Sequence, residues 1–220
     1  MKVVCLKHGA LYGPEWVINL KRMVGRNLPI PHEFVCLTDK PIPDVDCIQL
    51  DTAYTGWWTK LELFKPGRFT DDTLYLDLDV VITDSLLPLV ALLYKSPGLW
   101  ARDDFSYSMR NPKRGLDEDF KRLLGGDGCI NSSVMLWRGD VASDVWTKLE
   151  PWMLTARHGD QNIISDILRG RIQFIPDEMV CSYKYHIVRG APVAPIVVFH
   201  GRPKVDSLHR RDPLRVAWES

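Results

Sequence analysis

Residues 74–83 read LYLDLDVVIT, an apolar run that is interrupted by Asp77 and Asp79. Its aliphatic and aromatic residues favour a buried strand, but an ionised carboxylate that is buried without a partner costs several kcal/mol. A strand with two such groups therefore requires a metal ion, a basic group or an open strand end nearby. Residues i and i+2 of a strand project from one face, about 6–7 Å apart. This spacing would let both carboxylates bind one divalent cation together with waters and phosphate oxygens.

The Asp-x-Asp tripeptide is a weak motif by itself, and only its context separates this copy from the others. The same tripeptide occurs at residues 44–46 and 117–119. Only the pair at Asp77 and Asp79 follows a strongly apolar run. The sequence therefore favours a ligand site at the end of this strand, with a solvent-facing pair on an edge strand as the alternative.

The composition is that of a globular protein without a charge bias. The chain has 220 residues, 45% of them hydrophobic, and its 28 Lys and Arg balance its 28 Asp and Glu, so nucleic acid is not an expected partner. Its five cysteines are odd in number and lack CxxC spacing, which argues against a disulfide scaffold or a zinc knuckle. No signal peptide and no transmembrane segment is recognisable. We expect a soluble, cytoplasmic protein; its oligomeric state stays open.

The order of the predicted elements indicates one α/β domain. The strands KVVCL and EFVCLTD flank a helix that begins at Pro14, which is the start of a βαβ unit. Further strands are predicted in TLYLDLDVVI (73–82), PGLWAR (97–102), INSSVMLW (130–137), RIQFI (171–175) and PIVVF (195–199). Helices are predicted in WTKLELFKP (58–66), VASDVWTKLEPWML (141–154) and DQNIISDILR (160–169), and an irregular excursion with one helical piece in 103–128. Several strands end in polar residues, where open α/β sheets bind ligands.

Two enzyme classes place Asp-x-Asp after a strand. In phosphatases of the haloacid dehalogenase type, the first Asp is the nucleophile, and Asp77 would take that role. That class begins its domain with this strand, whereas here a βαβ unit precedes it. In sugar-nucleotide glycosyltransferases of the GT-A fold, the pair follows a nucleotide-binding half of about this length. The position of the pair therefore favours a transferase.

Six blocks along nearly the whole chain carry a more specific resemblance. In order, they are VVCLKHGALYG (3–13), WTKLELF (58–64), YLDLDVVI (75–82), INSSVMLW (130–137), GDQNII (159–164) and FHGRPK (199–204). Together they resemble glycosyltransferase family eight, the group of glycogenin and bacterial lipopolysaccharide galactosyltransferases, with small bacterial and phage-type members. The resemblance implies one Rossmann-like GT-A domain over 1–220, with a mixed, mostly parallel central sheet flanked by helices. Residues 1–80 would form the nucleotide-binding half, and 81–220 the sugar and acceptor half with a C-terminal metal and diphosphate loop.

The family's functional residues can be carried over position by position. The resemblance implies a Mn²⁺ or Mg²⁺ ion on Asp77, Asp79 and His200. It implies nucleotide-sugar contacts at Leu6, His8, Tyr12, Lys60, Asp77, Leu78, Asp103, Asn131, Ser132, Gly201 and Lys204, with Asp104 as an alternative to Asp103. It implies catalytic roles for Asp160, Gln161 and Lys204. For Lys60 the alternative is an ordinary surface lysine of a helix.

The sequence departs from the family pattern at two places. Ser133 stands where the family has Gly after Asn-Ser. In HGRPK, Gly201 and Lys204 keep the family spacing but His200 lies closer than usual, so we expect a shorter loop that keeps both contacts. Asp160 also has a second reading, as the N-cap of the helix that follows.

The predicted reaction is the transfer of a hexose from a UDP-sugar to a hydroxyl group. The family retains the anomeric configuration, and the acceptor would be a glycan, a lipid-linked sugar or a protein. The cation and Lys204 would stabilise the charge that develops on the leaving diphosphate. The alternatives are the phosphatase and a non-catalytic, lectin-like protein in which Trp57 and Trp58 stack on sugars.

Overall fold

The computed structural model describes residues 1–51, 54–105 and 129–220. The helical piece predicted within 103–128 and the tripeptide at 117–119 lie outside the described residues.

Within these residues, a seven-stranded mixed sheet forms the centre of the fold. Its strands are β1 (Lys2–Lys7), β2 (Glu33–Thr38), β3 (Asp46–Gln49), β4 (Thr73–Leu76), β6 (Leu99–Asp103), β7 (Ile130–Trp137) and β8 (Ile172–Phe174), in the order β3-β2-β1-β4-β7-β6-β8. A second sheet contains β5 (Val80–Ile82), β10 (Ile196–Val198) and β9 (Val180–Ser182), in that order. In the central sheet only β7 runs antiparallel to its neighbours β4 and β6. The predicted mixed, mostly parallel sheet is therefore confirmed.

Short helices alternate with the strands. The α-helices are α1 (Pro14–Asn27), α2 (Leu87–Val90), α3 (Asp144–Thr147), α4 (Pro151–Ala156), α5 (Asp160–Ile167) and α6 (Pro213–Glu219). In the described part of the chain, four 3-10 helices cover Gly56–Phe64, Ala91–Tyr94, Ile187–Arg189 and Val205–Ser207. Among the described residues, no helix is both long and apolar enough for a bilayer crossing.

Two hydrophobic cores lie on opposite faces of the central sheet. Side chains alternate between the faces, so that Val3 and Cys5 of β1 join the first core and Val4 joins the second. Helices α1, α2 and α6 and the second sheet contribute to the first core. The 3-10 helix Gly56–Phe64 and helices α3 and α5 contribute to the second. The sheet is thus covered on both faces, as expected for parallel strands.

Two predicted elements differ from the observed ones, and two observed strands were not predicted. The single strand predicted over 73–82 is two strands in different sheets, with residues 77–79 between them. The helix predicted over 141–154 is two helices, because Pro151 begins α4 and Glu150 before it is extended (φ −105°, ψ 141°). Strands β3 and β9 were not predicted, since each is only three or four residues long and lies between turn-forming residues.

Candidate active site

Residues 77–79 form the corner at which the chain leaves the central sheet and enters the second one. The backbone N–H of Asp77 donates to the carbonyl of Ser133 on β7 (2.8 Å). The carbonyl of Asp79 accepts from the N–H of Phe199, directly after β10 (2.8 Å). Strand β4 lies inside the sheet, between β1 and β7, so the interpretation of an edge-strand pair facing solvent is wrong.

The Asp77 carboxylate is held by two groups that contact the second core. The Tyr75 hydroxyl, two residues earlier on the same face, donates to Oδ1 (2.6 Å). Lys60 Nζ lies 2.9 Å from Oδ1 and 3.2 Å from Oδ2. Tyr75 is 1% exposed, and burial, followed by the charge of the Asp77 carboxylate, raises the pKa of its hydroxyl, which therefore stays a donor. Asp77 thus sits in a fixed, buried set of donors.

Lys60 links Asp77 to a second buried carboxylate. Its Nζ donates to Ser132 Oγ (3.0 Å) and lies 3.6 Å from Asp160 Oδ2. Ser132 Oγ in turn donates to Asp160 Oδ2 (2.6 Å). Burial alone would lower the pKa of Lys60, but the charges of Asp160 and Asp77 outweigh it and raise the pKa. With 9% of its surface exposed, Lys60 is not a surface helix lysine, and that alternative is wrong.

The Asp79 carboxylate contacts residues from loops on the other face of the sheet. The Tyr12 hydroxyl donates to Asp79 Oδ2 (3.1 Å), and Lys204 Nζ donates to the same oxygen. Lys204 also donates to the carbonyl of Phe199 (3.0 Å). Burial, and then the negative charge of Asp77, raise the pKa of Asp79, although Lys204 and Tyr12 oppose this. The two carboxylates therefore repel each other across the corner.

The carboxylates of Asp77 and Asp79 suit the binding of a hard divalent cation. Asp77, Asp79 and Asp160 carry three negative charges when ionised, against two positive charges on Lys60 and Lys204. Magnesium is typically bound by one or two carboxylates together with phosphate oxygens and waters, and carboxylates also suit manganese. Asp77 and Asp79 supply such oxygens, and a cation would relieve the repulsion that raises the pKa of Asp79.

The predicted third ligand, His200, lies in a separate environment. Its Nε2 is hydrogen-bonded to Ser182 Oγ (2.7 Å), and its ring stacks on Phe105 with 5.6 Å between the centroids. Burial lowers the pKa of His200, which favours the neutral ring. No group of three or more His, Cys, Asp or Glu side chains in the described part of the chain is arranged to hold a metal. A ligand role for His200 stays a prediction.

The other predicted contact residues are distributed around the same end of the sheet. Asn131 Oδ1 accepts from the N–H of Ser133 (3.1 Å) at the start of β7. Asp103 ends β6 and is half-buried, which raises the pKa of its carboxyl, and Asp104 follows it. Gly201 is exposed and has φ +73°, in the left-handed region that favours glycine.

Five further residues of the sequence analysis differ in exposure. Leu6 of β1 is partly buried against the second core, and Leu78 is 3% exposed in the first core. His8 is half-buried. Trp57 is 59% exposed, whereas Trp58 is partly buried against the second core, so the two do not form one exposed sugar-binding surface.

Asp160 and Gln161 lie in the first turn of α5. Gly159 is the N-cap of this helix and Asp160 is its first residue, with its carboxylate on Ser132, so the N-cap interpretation of Asp160 is wrong. Gln161 follows with an intermediate exposure, and its carbonyl accepts from Ser165 Oγ (2.7 Å). Tyr75 and Ser182 were missed as partners of the site. Tyr75 could have been found from its position two residues before Asp77, but nothing in the sequence around Ser182 indicates its role.

Comparison with solved structures identifies the fold. The chain superposes on the galactosyltransferase LgtC, crystallised with donor and acceptor sugar analogues, with a TM-score of 0.68, 15% identity, and 99% and 92% of the two chains covered. It superposes on the glycosyltransferase GlyE of Streptococcus pneumoniae TIGR4 with a TM-score of 0.65, 16% identity, and 99% and 58% covered. For mouse xyloside xylosyltransferase 1 the values are 0.59, 12%, and 92% and 98%. No protein-family model and no curated protein sequence matches the chain. The chain therefore has the GT-A fold of these glycosyltransferases.

Proposed function

We propose that the protein is a metal-dependent glycosyltransferase that moves a hexose from a UDP-sugar to a hydroxyl acceptor with retention of configuration. The observation that carries the proposal is the corner at residues 77–79. Asp77, Asp79 and Asp160 meet Lys60 and Lys204 there, at the carboxyl end of β4 in a GT-A fold. The resemblance to glycosyltransferase family eight supports the UDP-sugar donor and the retaining outcome.

Each group has a defined part in this proposal. Asp77 and Asp79 would hold a Mn²⁺ or Mg²⁺ ion, which supplies positive charge to the diphosphate leaving group. Lys204 follows Gly201, which has a positive φ, and would donate to the diphosphate oxygens as negative charge develops on them. Lys60 fixes Asp77 and Asp160 relative to each other. Because a nucleoside diphosphate is a good leaving group, no protein acid is required to protonate it.

Gln161 is proposed to lie beside the reacting carbon. It follows Asp160 at the start of α5, and Asp160 is joined to Lys60 and Ser132. An amide cannot act as a strong nucleophile, so its part would be to steady the oxocarbenium-like centre or the acceptor hydroxyl. A structure with the same fold is known of an LgtC variant in which an active-site glutamine is replaced by glutamate.

The glycosyltransferase neighbours do not favour the phosphatase or lectin alternatives. A nucleophilic Asp77 would need a free carboxylate oxygen in line with a phosphate, whereas Tyr75 contacts its Oδ1 and Lys60 contacts both Oδ1 and Oδ2. In a lectin, sugar binding would not require the buried carboxylates and lysines to lie together.

Thermal-shift measurement with nucleotide-sugars tests this function directly. UDP-sugars should raise the unfolding temperature in the presence of Mn²⁺ and much less without it, because a ligand that binds only the native state stabilises it. Asp79→Asn should remove the manganese-dependent part of this shift. Asp71→Asn is the matched control, since this exposed carboxylate lies at the other end of β4. Equal UDP affinity of Asp79→Asn and the unchanged protein in Mn²⁺ would contradict the metal site, and release of phosphate from phosphomonoesters would favour the phosphatase.

A further inference from the structure

Asp39 lies directly after β2, at the same end of the sheet as the candidate active site. Its Oδ2 accepts a hydrogen bond from the backbone N–H of Gly9 (3.2 Å), in the loop that follows β1. Its other carboxylate oxygen, Oδ1, is buried and accepts no hydrogen bond from the described residues. A buried acceptor without a donor destabilises the native state, so natural proteins retain few of them. An unpaired carboxylate oxygen at a ligand-binding edge therefore calls for a functional explanation.

The position of Asp39 relative to the corner supplies this explanation. Strands β2, β1 and β4 are adjacent and parallel, and β1 and β2 are in register up to Lys7 and Thr38. Two strand spacings, about 10 Å, separate the ends of β2 and β4. An extended nucleoside diphosphate has a similar span from its nucleoside to its β-phosphate. A ligand whose diphosphate lies at Asp79 can thus place its nucleoside at Asp39.

The loop between these two groups connects them physically. Gly9 contacts Asp39 at one end of the loop, and Tyr12 contacts Asp79 at the other. Leu11 between them is 80% exposed, which is unusual for a large apolar side chain. In Rossmann-like folds, an acidic residue near the end of the second strand accepts hydrogen bonds from ribose hydroxyls. Asp39 occupies the corresponding place in this sheet.

We infer that Asp39 is a nucleoside-binding residue whose carboxylate accepts a hydrogen bond from the nucleoside of the donor, either from a ribose hydroxyl or from the imide N–H of uracil. The inference rests on the proposed function and adds a specificity-determining residue to it. Both sources are neutral donors to a carboxylate, which is a strong acceptor. Ligand binding would give Oδ1 the donor that it lacks, once the loop around Gly9 adjusts.

Calorimetric titration with nucleotide analogues in Mn²⁺ tests this assignment. Asp39→Ala, which removes both acceptor oxygens, should lower the affinity for UDP by about ten- to a hundredfold, the range for a lost hydrogen bond to a charged group. Its affinity for inorganic pyrophosphate should stay unchanged, because pyrophosphate contacts only the corner. Asp46→Ala is the matched control, since this exposed carboxylate lies at the opposite end of the neighbouring strand β3 and should change neither affinity.

Two analogues distinguish the possible donors. The compound 2′,3′-dideoxy-UDP lacks the ribose hydroxyls, and CDP has an acceptor nitrogen in place of the imide N–H. The unchanged protein should bind one of them at least tenfold more weakly than UDP, and Asp39→Ala should lose that discrimination. Equal discrimination in both proteins would overturn the inference. Asp39→Val, which also lacks an acceptor, repeats the comparison if the Ala variant is poorly folded.

The same titrations separate the two proposals. If the unchanged protein binds UDP and Asp39→Ala binds it equally well, the role of Asp39 is refuted and the glycosyltransferase proposal stands. If the unchanged protein binds neither UDP nor any other nucleotide, both are refuted.

Discussion

Replacement of Lys60 by methionine should destabilise the protein by about 3–5 kcal/mol, the usual cost of removing one partner of a buried ion pair. Lys60 Nζ lies 2.9 Å from Asp77 and 3.6 Å from Asp160, and the residue is 9% exposed, so solvent screens these charges little. Methionine keeps a similar unbranched stem, so the loss reports the ammonium group. Since natural domains have only about 5–15 kcal/mol of stability, the variant should unfold at a much lower urea concentration.

Urea unfolding measures this loss of stability. If the folded state is intact, the slope of the unfolding free energy against urea concentration should be the same in the variant as in the unchanged protein. Lys148→Met is the control, because Lys148 pairs with Asp144 on an exposed helix surface (3.0 Å), and should cost less than about 1 kcal/mol. Adding Asp160→Asn to Lys60→Met should destabilise the protein much less than Asp160→Asn alone does, since the carboxylate has already lost the Lys60 ammonium group.

The pH dependence follows from the raised pKa of Lys60. A base with a raised pKa in the folded state contributes its full stability below its unfolded pKa of about 10.4 and loses it as the pH rises through the folded pKa. The difference between the unchanged protein and Lys60→Met should therefore be constant from pH 7 to 9. A difference of less than about 1 kcal/mol, without coupling to Asp160, would refute the reasoning.

Two further predictions concern side chains near the site. Tyr75→Phe removes the hydroxyl that donates to Asp77 (2.6 Å) and should weaken manganese-dependent UDP binding by about tenfold. Tyr94→Phe removes a tyrosine–aspartate hydrogen bond on the surface and should leave this binding unchanged. Equal affinities of the two variants would contradict the role of Tyr75. Burial lowers the pKa of His186 in the folded state below its unfolded value of about 6.5, so its neutral form is preferred and stability should fall as the pH drops through 6.5 toward the folded pKa. Urea unfolding between pH 5 and 7 should show that the free energy of unfolding changes less with pH in His186→Gln than in the unchanged protein. An equal pH dependence in both proteins would contradict this account.

Much of the fold could be predicted because its strands carry strong local signals. The apolar runs at β1, β2 and β7 and the Pro-started helix α1 lie where the sequence indicated. The split of residues 73–82 could not be predicted, since the apolar residues on both sides of the corner look like one strand. What divides them is long-range: Asp77 is bonded to β7 and Asp79 to the residue after β10. Hydropathy alone carries no information about such partners.

The site shows the same division between local and long-range information. The sequence predicted that Asp77 and Asp79 project from one face of a strand, which is wrong, because residues 77–79 lie between β4 and β5. The structure brings Lys60 to Asp77 and to Asp160, which Ser132 also contacts, and Lys204 to Asp79. It gives His200 another partner, Ser182, which lies on β9, a strand that the sequence did not reveal. Side-chain orientation at a strand end depends on such neighbours, and a motif does not specify them.

The two carboxylates of the corner are held to different degrees, although the Asp-x-Asp motif alone treats them as equivalent. Asp77 is held by Tyr75 and Lys60, which are 1% and 9% exposed and belong to elements that build the second core. Asp79 is held by Tyr12 and Lys204, which lie in loops beside the first core. Movement of a loop costs less than repacking of a core, because fewer buried contacts are broken. We therefore expect Asp77 to keep its conformation when a donor binds, while the partners of Asp79 exchange contacts with the diphosphate.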